Sequence, residues 1–260
     1  MKIAVCLAGQ PRSVLEAFPF TKRSFSTYGE VDFFIHFWKG KTHTDPDDPN
    51  LPLMQNQSDE KLYEKVLDLF SPKRFLFEMQ PDFSYNSYYT ERFGNEKNFN
   101  LKFPITDLEI WAKNKDTLFN TYGDRPHNIV SQFTSWKTCM QLKKSYEQEH
   151  HFVYDCVVRL RPDFITPVQF DYEKFDMNIF YVKNDCDHHI SKGDWYAIND
   201  HFAISSSENM DYYHSLIDYM PKYYVEDCMP VAGEVMLGWH LLKSGKQVMK
   251  LDFPSTILRG

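Results

Sequence analysis

The run Cys156-Val157-Val158-Arg159-Leu160-Arg161-Pro162-Asp163 limits the fold more than any other stretch of the chain. Cys156, Val157, Val158 and Leu160 form an apolar run of strand length, as expected of a buried parallel strand. Its far end then turns charged. Side chains alternate across a strand, so Arg159, Arg161 and Asp163 point the same way at intervals of about 7 Å. Pro162 has no amide hydrogen to donate, so regular pairing stops there and Asp163 falls at or beyond the carboxyl edge of the sheet. Ligands of open α/β sheets bind in the crevice outside that edge. Two readings stand. The charges serve a phosphorylated ligand with a divalent metal, or an internal Arg–Asp pair closes the strand end.

The rest of the chain supplies the other elements of an α/β sheet. Lys2 to Gly9 reads as a first buried strand ending in Gly-Gln-Pro-Arg, and a helix is expected from about Val14 to Ser26. Ser13 is placed to cap that helix, with Glu16 as its capping-box partner. Strand, glycine turn and helix open a nucleotide-binding unit in many α/β folds. Gly9 allows backbone to approach a ligand, the helix start favours an anion, and Arg12 adds a mobile charge. The single glycine excludes a dinucleotide fingerprint, and there is no P-loop. Many α/β folds turn this way for packing alone.

Val31 to Trp38 is a second strand, with His36 and Trp38 on one face: His36 as a hydrogen-bonded strand-end residue, Trp38 as a pocket wall. Helices are expected over Asp59–Phe70, Asn128–His150 and Gly233–Leu242, and further strands over Arg74–Glu78, Asn178–Val182, Asp200–Ile204 and Val248–Phe253. Residues 79–124, rich in Asn, Tyr and Phe, read as a long insertion. No repeat or low-complexity linker divides the 260 residues, so one domain spanning 1–260 is expected.

A net charge of −7 excludes a general nucleic-acid binder, which needs a basic excess, but not a small nucleotide. The five cysteines are scattered, with no Cys-x-x-Cys pair, as expected in a reduced, cytoplasmic compartment. No apolar run reaches the roughly 20 residues that span a bilayer.

Asp185-Cys186-Asp187-His188-His189 is the densest group of metal-ligand types, and it reads as a solvated turn. Glu234, at the start of the Gly233 helix, is either a capping partner or a general base aimed at an acceptor hydroxyl. Asp200, beside His201, carries the same two readings.

Taken together, Ala-Gly-Gln-Pro-Arg (8–12), Phe-Phe-Ile-His-Phe-Trp (33–38), the Tyr154–Phe164 run, Asp-His-Phe-Ala-Ile-Ser (200–205) and Gly-Glu-Val-Met-Leu (233–237) resemble the small GT-A-type glycosyltransferases of viral and bacterial glycan clusters. The resemblance implies a single GT-A-like, Rossmann-like domain with a mostly parallel central sheet flanked by helices. It implies transfer of a sugar from a nucleotide-diphospho-sugar donor to a glycan or glycoprotein acceptor, in the host cytoplasm if the chain is viral. Such enzymes hold Mn²⁺ or Mg²⁺ on an Asp-x-Asp motif. Here Arg161-Pro162-Asp163 stands in that place, so Asp163 holds the metal alone, or Arg159 and Arg161 neutralise the diphosphate directly. Gly9, Gln10, Arg12 and Trp38 then bind the donor, and Glu234 or Asp200 takes the acceptor proton. On this reading Asp163→Ala removes activity with little change in melting temperature. The alternative is a non-catalytic module of the same fold that binds a glycan or partner through the aromatic insertion.

Overall fold

A computed structural model of the chain describes residues 1–25, 30–39, 59–81, 126–184, 197–225, 227 and 233–258. The described residues form an α/β fold whose main sheet has seven strands in the order β3-β2-β1-β4-β7-β6-β8. These are β1 (Ile3–Gly9), β2 (Val31–Lys39), β3 (Arg74–Met79), β4 (Cys156–Leu160), β6 (Phe180–Lys183), β7 (Phe202–Ser205) and β8 (Val248–Leu251). A small second sheet pairs β5 (Phe164–Ile165) with β9 (Thr256–Ile257). The helices are α1 (Val14–Ser24), α2 (Asp59–Phe70), α3 (Pro126–Glu149), α4 (Ser207–His214), α5 (Leu216–Val225) and α6 (Gly233–Lys243).

β1 to β4 run parallel, and β7 alone opposes both its neighbours. The expected mostly parallel sheet is therefore present. Strand alternation divides the core in two. Ala4, Cys6, Ala8, Phe34 and Val157 face α3 to α6, whereas Ile3, Val5, Leu7, Ile35 and Val158 face α1 and α2. After β1 the chain moves outward through β2 and β3, then returns along α3 to place β4 on the other flank of β1. The β1–β4 boundary is thus the topological switch point, where the crevice of an open α/β sheet forms.

Two local expectations are corrected. Ser13 makes no side-chain cap: its backbone (φ −86°, ψ 37°) is outside the extended region that capping favours, and α1 stops at Ser24. The charged stretch after Leu160 is a turn that leads into β5, because Leu258 N–H donates to the Asp163 carbonyl (2.8 Å) and β9 takes over the pairing. Of the expected insertion, all but its first residues lies outside the described residues, as do Asp185 to His189.

Candidate functional site

The site is built where β1 and β4 end side by side. Leu7 pairs with Leu160, the last pair of the β1–β4 ladder, and beyond it β1 runs on to Gly9 while the segment after β4 turns at Arg161 to Asp163. Gly9 has φ +120°, a conformation that L side chains rarely adopt. A Cβ there would meet no described atom within 4 Å, so turn geometry rather than crowding requires the glycine. Arg12 also has a positive φ, +39°. A non-glycine residue held there costs on the order of 1–3 kcal/mol and persists where its surroundings fix it.

Asp163 is the hub. Its carboxylate is buried, and Arg161 grips it with two hydrogen bonds, Nε to Oδ1 at 2.7 Å and Nη2 to Oδ2 at 3.1 Å. Arg12 donates from Nη1 to the same Oδ2 at 3.3 Å. Two-point arginine–carboxylate pairing fixes direction as well as charge. The remaining Arg161 amino group, Nη1, lies 3.0 Å from His201 Nε2.

The antiparallel strand β7 delivers the other half. It enters the sheet at the edge where β4 leaves, so Asn199, Asp200 and His201 stand beside Arg161. The Arg161 N–H donates to the His201 carbonyl at 2.9 Å, and Asn199 Oδ1 accepts from the His201 N–H at 2.7 Å. Asp200 is 3.3 Å from His201 Nε2 and accepts from Gln132 Nε2 on α3. Burial pushes the Asp200 pKa up, but His201, Arg159, Arg161 and the Gln132 hydrogen bond together hold it below its ordinary value. Burial lowers the His201 pKa, helped by Arg161 and Arg159 and opposed by Asp200 and Asp163.

The other predicted residues take different places. Arg159 is buried beneath the site, its guanidinium 4.1 Å above the Trp136 ring and its Nη1 donating to the His201 carbonyl at 2.7 Å. Burial lowers its pKa to about 10, so it stays charged at neutral pH. Trp38 is core as well, edge-to-face on His36 at 4.6 Å and 2% exposed. His36 bridges Ser135 Oγ (2.6 Å) and Glu78 Oε1 (2.9 Å), the hydrogen-bonded strand-end role expected of it. Ser135 is fully buried, so its hydroxyl meets no substrate. Gln10 Nε2 donates to Gln80 Oε1 at 2.6 Å, tying the end of β1 to the end of β3. Glu234 is half-buried in the first turn of α6, and its carbonyl accepts from the Ile198 N–H at 3.1 Å, which sets it two residues from Asp200 across that bond.

Sequence reasoning singled out Arg12, Arg161, Asp163 and Asp200, which the fold brings together. It missed Gln132 and the part played by His201. The signal for Gln132 was present: it lies four residues before Trp136, on the same helical face, as a polar residue in an otherwise apolar stripe.

The sequence matches no protein-family model and no curated protein. The architecture and this cluster therefore carry the functional argument.

The donor set does not fit a resident metal. Both Asp163 oxygens are engaged by guanidinium groups, and among the described residues no three His, Cys, Asp or Glu side chains stand together as ligands. Within the hydrogen-bonded cluster, the guanidinium groups of Arg12, Arg159 and Arg161 outnumber the carboxylates of Asp163 and Asp200. Counted over these five described side chains there is one cation more than there are anions, which favours an anion over a divalent cation. A separate open depression of about 610 Å³, lined by Met1, Lys2, Glu30, Phe152, Val153 and Asp155, lies at the opposite, amino edge of the sheet and gathers no comparable chemistry. Among the described residues no helix is long and apolar enough to cross a membrane.

Proposed function

We propose that the protein is a glycosyltransferase that moves a sugar from a nucleotide-diphospho-sugar donor to a glycan or glycoprotein acceptor. The observation that carries this reading is the arginine cluster at the switch point, with Arg12 half exposed beside the glycine turn that ends β1. In the reaction the anomeric carbon–diphosphate oxygen bond breaks, and the acceptor oxygen bonds to that carbon. The acceptor proton passes to a carboxylate. Negative charge grows on the departing diphosphate, where preorganised cations lower the barrier most. Arg12 and Arg161 are the groups assigned to it. Asp200 is held ionised below its ordinary range by its neighbours, which makes it a poor proton acceptor. Glu234 is therefore assigned the acceptor proton in an inverting reaction. The buried free thiols Cys6, Cys139 and Cys156 are consistent with a reduced, cytoplasmic setting.

The test is release of nucleoside diphosphate from UDP-, GDP- and dTDP-sugars, with CMP-sugars, which carry one phosphate, as the contrast. One nucleotide class should be hydrolysed slowly in water, and Glu234→Gln should retain donor binding while losing acceptor-dependent turnover. Binding of none of these donors would sink the reading. Binding without turnover under any condition would favour the second reading, a non-catalytic module of the same fold, which the full engagement of Asp163 also suits.

A further inference from the structure

We infer that this site takes its phosphate-bearing ligand without a divalent metal, with Asp163 as the positioning residue for two arginines and Arg12 as the group that meets the phosphate. The inference rests on the transferase reading for its ligand class and goes beyond it in assigning these roles.

The division of labour follows from which donors are already used. Arg161 directs Nε and Nη2 to Asp163 and presents Nη1 to His201, so all three of its nitrogens have neighbours. Arg12 has five N–H bonds to give. Among the described residues only Nη1 is committed, over the longest of the three carboxylate contacts, 3.3 Å, and its side chain is 49% exposed. Arg12 sits in the turn at φ +39° and reaches Asp163 from there. The arrangement leaves a guanidinium oriented at one end and unspent at the other. Arginine geometry suits phosphate oxygens for the same reason that it suits a carboxylate.

A metal at Asp163 would have to displace both guanidinium groups and sit among the three arginines. A diphosphate needs neither step. It brings the negative charge that the cluster lacks and takes the Arg12 donors that face outward. Arg161 then occupies Asp163 in place of the metal, and Arg12 supplies the positive charge that meets the phosphate.

Calorimetric titration tests this with two simple probes, inorganic pyrophosphate in EDTA and Mn²⁺ alone. Wild type should bind pyrophosphate in EDTA and show no saturable binding of Mn²⁺. Arg12→Ala should weaken pyrophosphate at least tenfold, and Arg12→Lys should lie between. Asp163→Asn loosens the hold on both arginines, so pyrophosphate affinity in EDTA should fall, by less than in Arg12→Ala, whereas a metal-bridging carboxylate predicts that wild type itself fails to bind pyrophosphate in EDTA. Saturable Mn²⁺ binding in wild type that disappears in Asp163→Asn would overturn the inference, as would an Arg12→Ala protein that binds pyrophosphate normally. Nucleotide sugars that bind only with Mn²⁺ would overturn it while leaving the transferase reading intact. If neither pyrophosphate nor any nucleotide sugar binds, both fall. Should Asp163→Asn fail to fold, the half-exposed Arg12 variants still decide the question.

Discussion

Asp163 shows how burial changes the meaning of a residue. Read as a lone metal ligand at a strand end, its removal should leave stability untouched. In the fold its carboxylate is 1% exposed and receives three charge-assisted hydrogen bonds from two arginines. Taking away one partner of a buried ion pair costs about 3–5 kcal/mol, because the opposite charge is left without compensation. Arg12 is 49% exposed and rehydrates, so Asp163→Ala should fall at the lower end, about 3 kcal/mol. That corresponds to a melting temperature lower by roughly 6–12 °C for a chain of this size. Differential scanning calorimetry checks it, and an unchanged melting temperature would show that the arginines do not depend on this carboxylate. Gly9 makes a complementary case. Its +120° φ leaves open space around the missing Cβ, so Gly9→Ala should cost about 1 kcal/mol or more through backbone strain rather than a clash.

At the scale of elements, β4 reaches the site in the right register because α3 is pinned before it. Lys143, fully buried near the end of α3, pairs with Glu147 and Asp211, each at 2.9 Å, and donates to Ser207. Glu147 in turn accepts from the Ser207 hydroxyl (2.7 Å) and from the Tyr154 N–H (2.9 Å), which fixes the chain two residues before β4 begins. One lysine thus ties α3, α4 and the entry to β4 together. Lys143→Ala leaves the buried Glu147 and the partly exposed Asp211 without their central cation and should cost about 3 kcal/mol, the lower end for a buried pair. The neighbouring Lys144 also pairs with Asp211, at 3.1 Å, but is 55% exposed, so Lys144→Ala should cost less than about 1 kcal/mol. Urea denaturation of the two variants provides the contrast, and equal midpoints would refute the pinning role. The lysine network also marks the limit of what was legible in the chain. Apolar runs such as Ile3 to Ala8 and Cys156 to Leu160 announce strands, because burial on both faces leaves one composition. Lys143 sits in a charged stretch that reads as a solvated helix end, since nothing local says that α4 will cover it. The same limit applies to Arg159. Alternation placed it on the same side as Arg161, but only the position of Trp136 on α3 decides that it is roofed over while Arg161 reaches the edge. Likewise Asp200 was legible as a strand-entry carboxylate. That β7 runs against β4, and so brings Asp200 and His201 to the arginine cluster, depends on pairing that no local pattern encodes.

For the whole molecule, the buried histidines tie folding to pH. His214 and His240 are each at most 2% exposed, and burial lowers their pKa values to about 3 and about 4. Burial likewise lowers His36 and His201, against the opposing pull of Glu78 and Asp200 respectively. Each folded-state value lies below the unfolded one of about 6.5, so below that pH the unfolded chain binds more protons. Stability is therefore full above about pH 6.5 and is lost as pH falls towards the folded-state values. For His214 and His240 the slope is about 1.4 kcal/mol per pH unit each, or on the order of 4 kcal/mol for the pair between pH 7 and pH 5. Asp200, also held low, loses its contribution only below the ordinary carboxylate range near pH 4, so it leaves this window unaffected. The melting temperature should accordingly drop by on the order of 10 °C from pH 7 to pH 5. His214→Leu, which removes one of the two steepest titrations, should reduce the slope by about half of what this pair contributes. A melting temperature that stays level across that range would mean that these rings gain protons without unfolding the core around Trp136 and Tyr212. The drop also sets the condition for any functional assay: ligand binding compared across pH must be measured above about pH 6.5, where loss of affinity reports the arginine cluster rather than loss of the fold.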